Sequence, residues 1–122
     1  GTSSRTFDQA DGTPTWTKAF LSTDGLFQKS LPDLHSKLVN YALDLNRNVF
    51  HLIPDGVAVN TRVVEYHEVL PGGHLSRRDH YDSGSLFTID VMLSDPNVDF
   101  EGGTFVADNP DSLGLETLPV FQ

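Results

Sequence analysis

At 122 residues, with 38% hydrophobic side chains and twelve aromatics, the chain has material for one domain with a modest core, and its composition is that of a globular protein. The formal net charge of −9 is concentrated in residues 61–122, which carry three basic and eleven acidic side chains, a field that repels phosphate backbones and argues against nucleic acid as a partner. Without cysteine there is no disulfide, no Cys-bound zinc and no iron–sulfur cluster, so any metal must be held by His, Asp or Glu; no apolar run approaches membrane-spanning length.

Residues 1–15, rich in Thr, Ser, Gly and Asp, are expected to form an irregular lead-in, and 16–27 one short helix ending near Gly25. The strongest helical signal covers residues 31–45. Leu31, Leu34, Leu38, Tyr41, Ala42 and Leu45 recur at steps of three and four, which predicts one apolar face packed on a sheet. Ser30 is the expected N-cap, with Pro32 in the first turn and Asp33 completing a Ser-x-x-Asp box. After Asn46 the texture becomes β-rich, with short runs expected as strands at 49–52, 57–59, 62–70, 86–93, 104–107 and 118–121. Turn-forming stretches separate them: Pro54-Asp55-Gly56, Pro71-Gly72-Gly73, Asp95-Pro96-Asn97 and Asn109-Pro110-Asp111. The expected fold class is mainly β with leading helices (α+β): a single domain over 1–122, with a helical preface at 1–47 and a jelly-roll core at 48–122.

The chemistry-bearing residues centre on His80-Tyr81-Asp82. In an extended segment residues i and i+2 share a face, so the imidazole and carboxylate can converge on one ion while Tyr81 points away. Two such ligands supply most of a 2-His-1-carboxylate set, which binds Fe(II) on one side and leaves positions open. Five His and thirteen Asp in this length give about 0.5 such pairs by chance. The surrounding order therefore carries the weight. Arg62-Val63-Val64-Glu65-Tyr66-His67-Glu68 reads as a strand entering the loop Pro71-Gly72-Gly73, and residues 86–93 as a strand with Phe87, Ile89, Val91 and Leu93 on one face and Leu86, Thr88, Asp90 and Met92 on the other. Leu93-Ser94-Asp95-Pro96 and Glu101-Gly102-Gly103 follow. His67 and His74 flank a turn and are read as surface histidines or as groups supporting the site; their six-residue gap is not the helical spacing of a zinc-protease pair. Arg77 and Arg78 form a basic pair beside the site, suited to solvent or to an anionic group.

As an ordered set over residues 62–107, this resembles the prolyl-4-hydroxylase-like branch of the Fe(II)/2-oxoglutarate-dependent dioxygenases. The resemblance implies a double-stranded β-helix, a distorted jelly roll, with His80 and Asp82 as two iron ligands. It implies a 2-oxoglutarate pocket lined by Thr88, Met92 and, from the upstream strand, Tyr66 (with Val69 as the alternative equivalent), with ascorbate as a further cofactor and a peptide or small molecule as substrate. Two departures accompany it. Met92 stands where many relatives place a tyrosine that donates to 2-oxoglutarate, and thioether sulfur has no proton to give. The family's second histidine and its cosubstrate-binding cation come from later strands, whereas no His follows His80 and no Lys or Arg follows Arg78. The expectation is accordingly a fragment of such an enzyme, incomplete at the C-terminal side of the jelly roll. The alternatives are a non-catalytic jelly-roll binding domain that has lost the triad, and a cupin-like metal protein, which the scattered histidines suit less well.

Overall fold

The computed structural model describes residues 4–8, 14–74, 80–109 and 114–117, with side chains at 15–74 and 80–105, and the chain divides into two units, Gly1–Ile89 and Asp90–Gln122. Each unit has its own antiparallel sheet.

In the first unit, β1 (Ser4–Asp8), β2 (Pro14–Phe20) and β3 (Glu65–Val69) form a three-stranded sheet in that order. The irregular lead-in and the short helix expected over 1–27 thus give way to two strands before any helical turn. The reason lies in β2 itself: Thr15 and Thr17 are β-branched, and Trp16, Lys18 and Phe20 alternate with them, so the run has period two. Pairing across the sheet satisfies it, with Trp16 opposite Val69, Lys18 opposite His67 and Phe20 opposite Glu65. Two further backbone bonds, Leu21 N to Val64 O (2.8 Å) and Leu70 N to Thr15 O (2.9 Å), extend the ladder at both ends. Beyond β3 the chain turns back so closely that a Cβ on Gly73 would strike the Thr15 carbonyl oxygen and lie 2.8 Å from Val69 Cγ1; glycine is the residue that fits.

A 3-10 turn at Thr23–Gly25 leads into α1 (Leu26–Ser30) and then α2 (Pro32–Leu45). The helix expected over 31–45 is present, begun by Pro32 with Asp33 in its first turn. Ser30 does not cap it. Ser30 closes α1 instead, the cap position falls on Leu31 without a side-chain bond, and Leu31 N donates to Phe27 O at 2.8 Å. Nor does the apolar face of α2 lie on a sheet: its main contacts among the described elements are α1 and the turn that follows, and Leu34 and Tyr41 are exposed. Among the described residues the buried hydrophobic side chain is Phe27, which meets the edge of the His35 ring at 6.3 Å between centroids.

Residues expected as a strand at 49–52 begin as a continuation of the helix. Asn46–Phe50 forms a π-turn closed by His51 in a left-handed conformation (φ 53°). Asn46, 4% exposed, explains the geometry. Its Oδ1 accepts from Leu52 N (2.8 Å) and Ile53 N (2.9 Å), while its Nδ2 donates to Ile53 O (2.9 Å). One side chain thereby supplies the partners that a strand neighbour would otherwise have to provide. Residues 57–59 and 86–89 carry no ladder either, and Phe87 packs against Phe50 with ring centroids 5.4 Å apart.

In the second unit, residues 90–93 are likewise outside any ladder. The Asp95-Pro96 turn forms as expected, held by Asp95 N to Asp99 Oδ2 (2.7 Å), Asn97 N to Asp95 Oδ1 (2.9 Å) and Val98 N to Asp95 O (3.1 Å). Gly102 and Gly103 both take positive φ, and β4 (Val106–Asn109) then pairs with β5 (Gly114–Thr117). The strand expected at 104–107 therefore starts two residues late, and β5 is an addition. The strand expected at 118–121 lies outside the described residues.

Candidate metal site

His80, Tyr81 and Asp82 occupy an irregular stretch that runs into a turn at Ser83 and Gly84, where Gly84 takes φ 82° and Ser85 N donates to Asp82 O at 3.1 Å. The turn bends the chain back so that a residue six positions on reaches Asp82: Thr88 Oγ1 donates to Asp82 Oδ2 at 2.7 Å. The other carboxylate oxygen, Oδ1, lies 3.4 Å from His80 Nε2. Tyr81 is 77% exposed. The imidazole and the carboxylate thus lie side by side, although the segment is not the strand expected.

Their geometry suits adjacent ligands of one ion. Two donors each about 2.1 Å from a metal and separated by roughly 90–110° stand about 3.0–3.4 Å apart. Both side chains are close to half exposed, so an ion could reach them from solvent. The donor set stops at two, for no group of three His, Asp or Glu side chains comes together among the described residues. His35, His51, His67 and His74 are placed elsewhere in the first unit: His35 Nε2 shares a hydrogen bond with Thr61 Oγ1 (2.8 Å), His51 closes the π-turn, and His74 Nδ1 lies 3.3 Å from Gly72 O.

Of the residues expected to line a cosubstrate pocket, Thr88 is joined to the ligand pair. Tyr66 lies in β3 opposite Ala19, on the face away from Glu65 and His67. Met92 belongs to the second unit and is exposed. Arg77 and Arg78 lie outside the described residues. One cation that sequence reasoning overlooked is Arg62. Its side chain packs on the turn after Asp82, with Nε 3.4 Å from where a Gly84 Cβ would sit. Only the folded turn reveals that proximity, since 22 positions separate the two residues in the chain.

A second polar cluster spans β2 and β3. Trp16 Nε1 donates to His67 Nδ1 at 2.9 Å, His67 Nε2 meets Glu65 Oε2 at 2.9 Å, and Glu65 Oε2 pairs with Lys18 Nζ at 3.2 Å. Because an indole only donates, His67 Nδ1 must be the unprotonated nitrogen, and Nε2 then donates to Glu65. Trp16 is the sole tryptophan, so the emission of the chain reports on the surroundings of this indole. Substituting His67→Ala removes its bonds to both Trp16 and Glu65 and is expected to red-shift that emission and to cost about 1–2 kcal/mol in stability, each such hydrogen bond being worth on the order of 1 kcal/mol net; an unchanged spectrum would show that the indole has no bond to His67 in solution.

Compared with protein-family models, with curated proteins and with solved structures, the chain matches none. No described helix is long and apolar enough to cross a membrane.

Proposed function

We propose that the chain is related to the Fe(II)/2-oxoglutarate-dependent dioxygenases of the prolyl-4-hydroxylase-like kind, with a jelly-roll core and with His80 and Asp82 as two metal ligands. The observation that supports this most directly is the convergence of His80 Nε2 and Asp82 Oδ1 to 3.4 Å within the ordered run of motifs from Arg62 to Phe105. Imidazole nitrogen and carboxylate oxygen are the donor types that a non-haem Fe(II) centre takes. With 2-oxoglutarate and O2, such a centre supplies hydroxylation of a C–H bond, yielding succinate and CO2.

The chain's own residues hold and orient. His80 offers a neutral nitrogen and Asp82 a single charge, so the pair alone leaves a net positive site that welcomes a dicarboxylate. Thr88, joined to the ligand pair through Asp82, shapes the cosubstrate's surroundings in this reading. A peptide prolyl group or a small molecule is the substrate, with ascorbate as an accessory reductant.

The test is succinate release from 2-oxoglutarate in the presence of Fe(II) and O2, compared between the protein and its His80→Ala form. Release that disappears on substitution is the expected result; release unaffected by it sinks the assignment. A second reading is a non-catalytic jelly-roll binding domain. It draws on the two-membered donor set among the described residues, and metal binding with no succinate at all would favour it.

A further inference from the structure

The hydrogen bond that defines the local geometry of Asp82 comes from Thr88. We infer that Thr88 is a positioning residue: its hydroxyl holds Asp82 Oδ2, so that Oδ1 alone is presented to a divalent metal ion on the side of His80. This rests on the reading of His80 and Asp82 as metal ligands.

A carboxylate turns easily about its terminal torsion, and free Asp82 could offer either oxygen or both. The bond from Thr88 Oγ1, at 2.7 Å, has the ordinary length of a hydroxyl-to-carboxylate hydrogen bond and restricts that freedom. With Oδ2 engaged, Oδ1 is left 3.4 Å from His80 Nε2. One-oxygen ligation takes up one coordination position rather than two, leaving more of them for small molecules. Thr88 is suited to the task because its branched Cβ restricts the torsion that aims the hydroxyl. The turn between the two residues, closed by Ser85 N to Asp82 O at 3.1 Å, sets the distance it must span.

A consequence follows for the cosubstrate. A threonine hydroxyl has one proton, and here it is given to Asp82. Towards a second carboxylate, which only accepts, Thr88 can present its methyl group and lone pairs but no donor. It would therefore shape a cosubstrate pocket by contact, and the donors for an anionic ligand must come from other residues.

The experiment uses Mn(II) as the probe and follows paramagnetic broadening of the His80 ring signals by NMR in the wild-type chain, Thr88→Val, Thr88→Ser and Asp82→Ala. Valine keeps the shape and removes the hydroxyl; serine keeps the hydroxyl. Thr88→Val is expected to need on the order of tenfold more Mn(II) for the same broadening, the usual scale for losing a bond that orients a ligand. Thr88→Ser is expected to remain near wild type, and Asp82→Ala to lose the effect. If Asp82→Ala abolishes broadening while Thr88→Val matches wild type, the positioning role is wrong and the metal site survives. If serine is as weak as valine, the hydroxyl is not what matters and the role is equally overturned. Failure of Mn(II) to broaden His80 in the wild type, or broadening indifferent to Asp82→Ala, overturns the metal reading and this inference with it.

Discussion

Substituting Asn46→Ala is expected to destabilise the first unit by about 2–3 kcal/mol, measured as a shift of the urea or thermal unfolding midpoint. The magnitude follows from the number of bonds lost. Asn46 is buried and makes three hydrogen bonds to the backbone of Leu52 and Ile53. Each is worth about 1 kcal/mol net, and alanine leaves two N–H groups and a carbonyl without it. Water can reach some of them, since Leu52 is exposed, which keeps the loss below the full cost of three orphaned groups. The conservative replacement separates the bonds. Asn46→Asp keeps the acceptor for the two N–H groups but sets a carboxylate against the Ile53 carbonyl, so it should also destabilise the unit, through repulsion rather than through lost acceptors. An Asn46→Ala chain that unfolds at the wild-type midpoint would show that the side chain does not secure this bend in solution.

The largest functional effect is expected at His80. Substituting His80→Ala should weaken Co(II) or Mn(II) binding, read by calorimetry, by on the order of 100-fold or more, since losing a ligand exceeds the 10–100-fold typical of losing a bond that merely supports one. The acidic surface complicates the measurement in a predictable way. Residues 61–122 carry eight more acidic than basic side chains, and diffuse negative charge collects divalent ions without a built site. That background falls as salt is added, because exposed charges more than about 8–10 Å apart are screened at physiological ionic strength. Binding through the imidazole and carboxylate at contact distance should persist at higher salt. If wild type and His80→Ala bind equally well in 0.5 M salt, on the order of a 4 Å screening length, the pair does not hold a metal.

What could be read from the sequence was what is local. α2 announces itself through apolar residues at three- and four-residue steps and a proline in its first turn, and the Pro54, Pro71 and Asp95 turns form where Gly, Pro and Asp mark them. The closeness of His80 to Asp82 was legible for the same reason, because two positions along the chain bound how far apart they can lie. The errors fall where partners are distant. Residues 16–20 read as helix because β2 lies between two partners that composition does not mark: β3, about fifty positions later, and β1, whose residues read as an irregular lead-in. The run at 86–93 has strand-like composition but no ladder, showing that alternation expresses a preference which a neighbouring strand must still satisfy. The π-turn was invisible for a subtler reason: Val49, Phe50 and Leu52 look like a strand, and the outcome depends on one amide side chain capturing two backbone donors. Thr88 stands out in the sequence by its position in a motif, yet its bond to Asp82 depends on the bend at Gly84, which composition marks only as a turn.

The register of β2 against β3 has a consequence for how the molecule can change over time. Lys18 faces His67, so the chain between the strands, including both helices and the π-turn, is a closed loop tied at its base by the sheet. Loop-closure entropy grows only logarithmically, by about 0.6 kcal/mol for each doubling of length. The exposed connection from Pro54 to Asn60 can therefore gain or lose residues at small thermodynamic cost, provided that Asn46 keeps its hold on Leu52 and Ile53 at one end and Thr61 its bond to His35 at the other. In evolutionary terms this is the segment where length can drift while the helices on one side and the strand on the other stay in place.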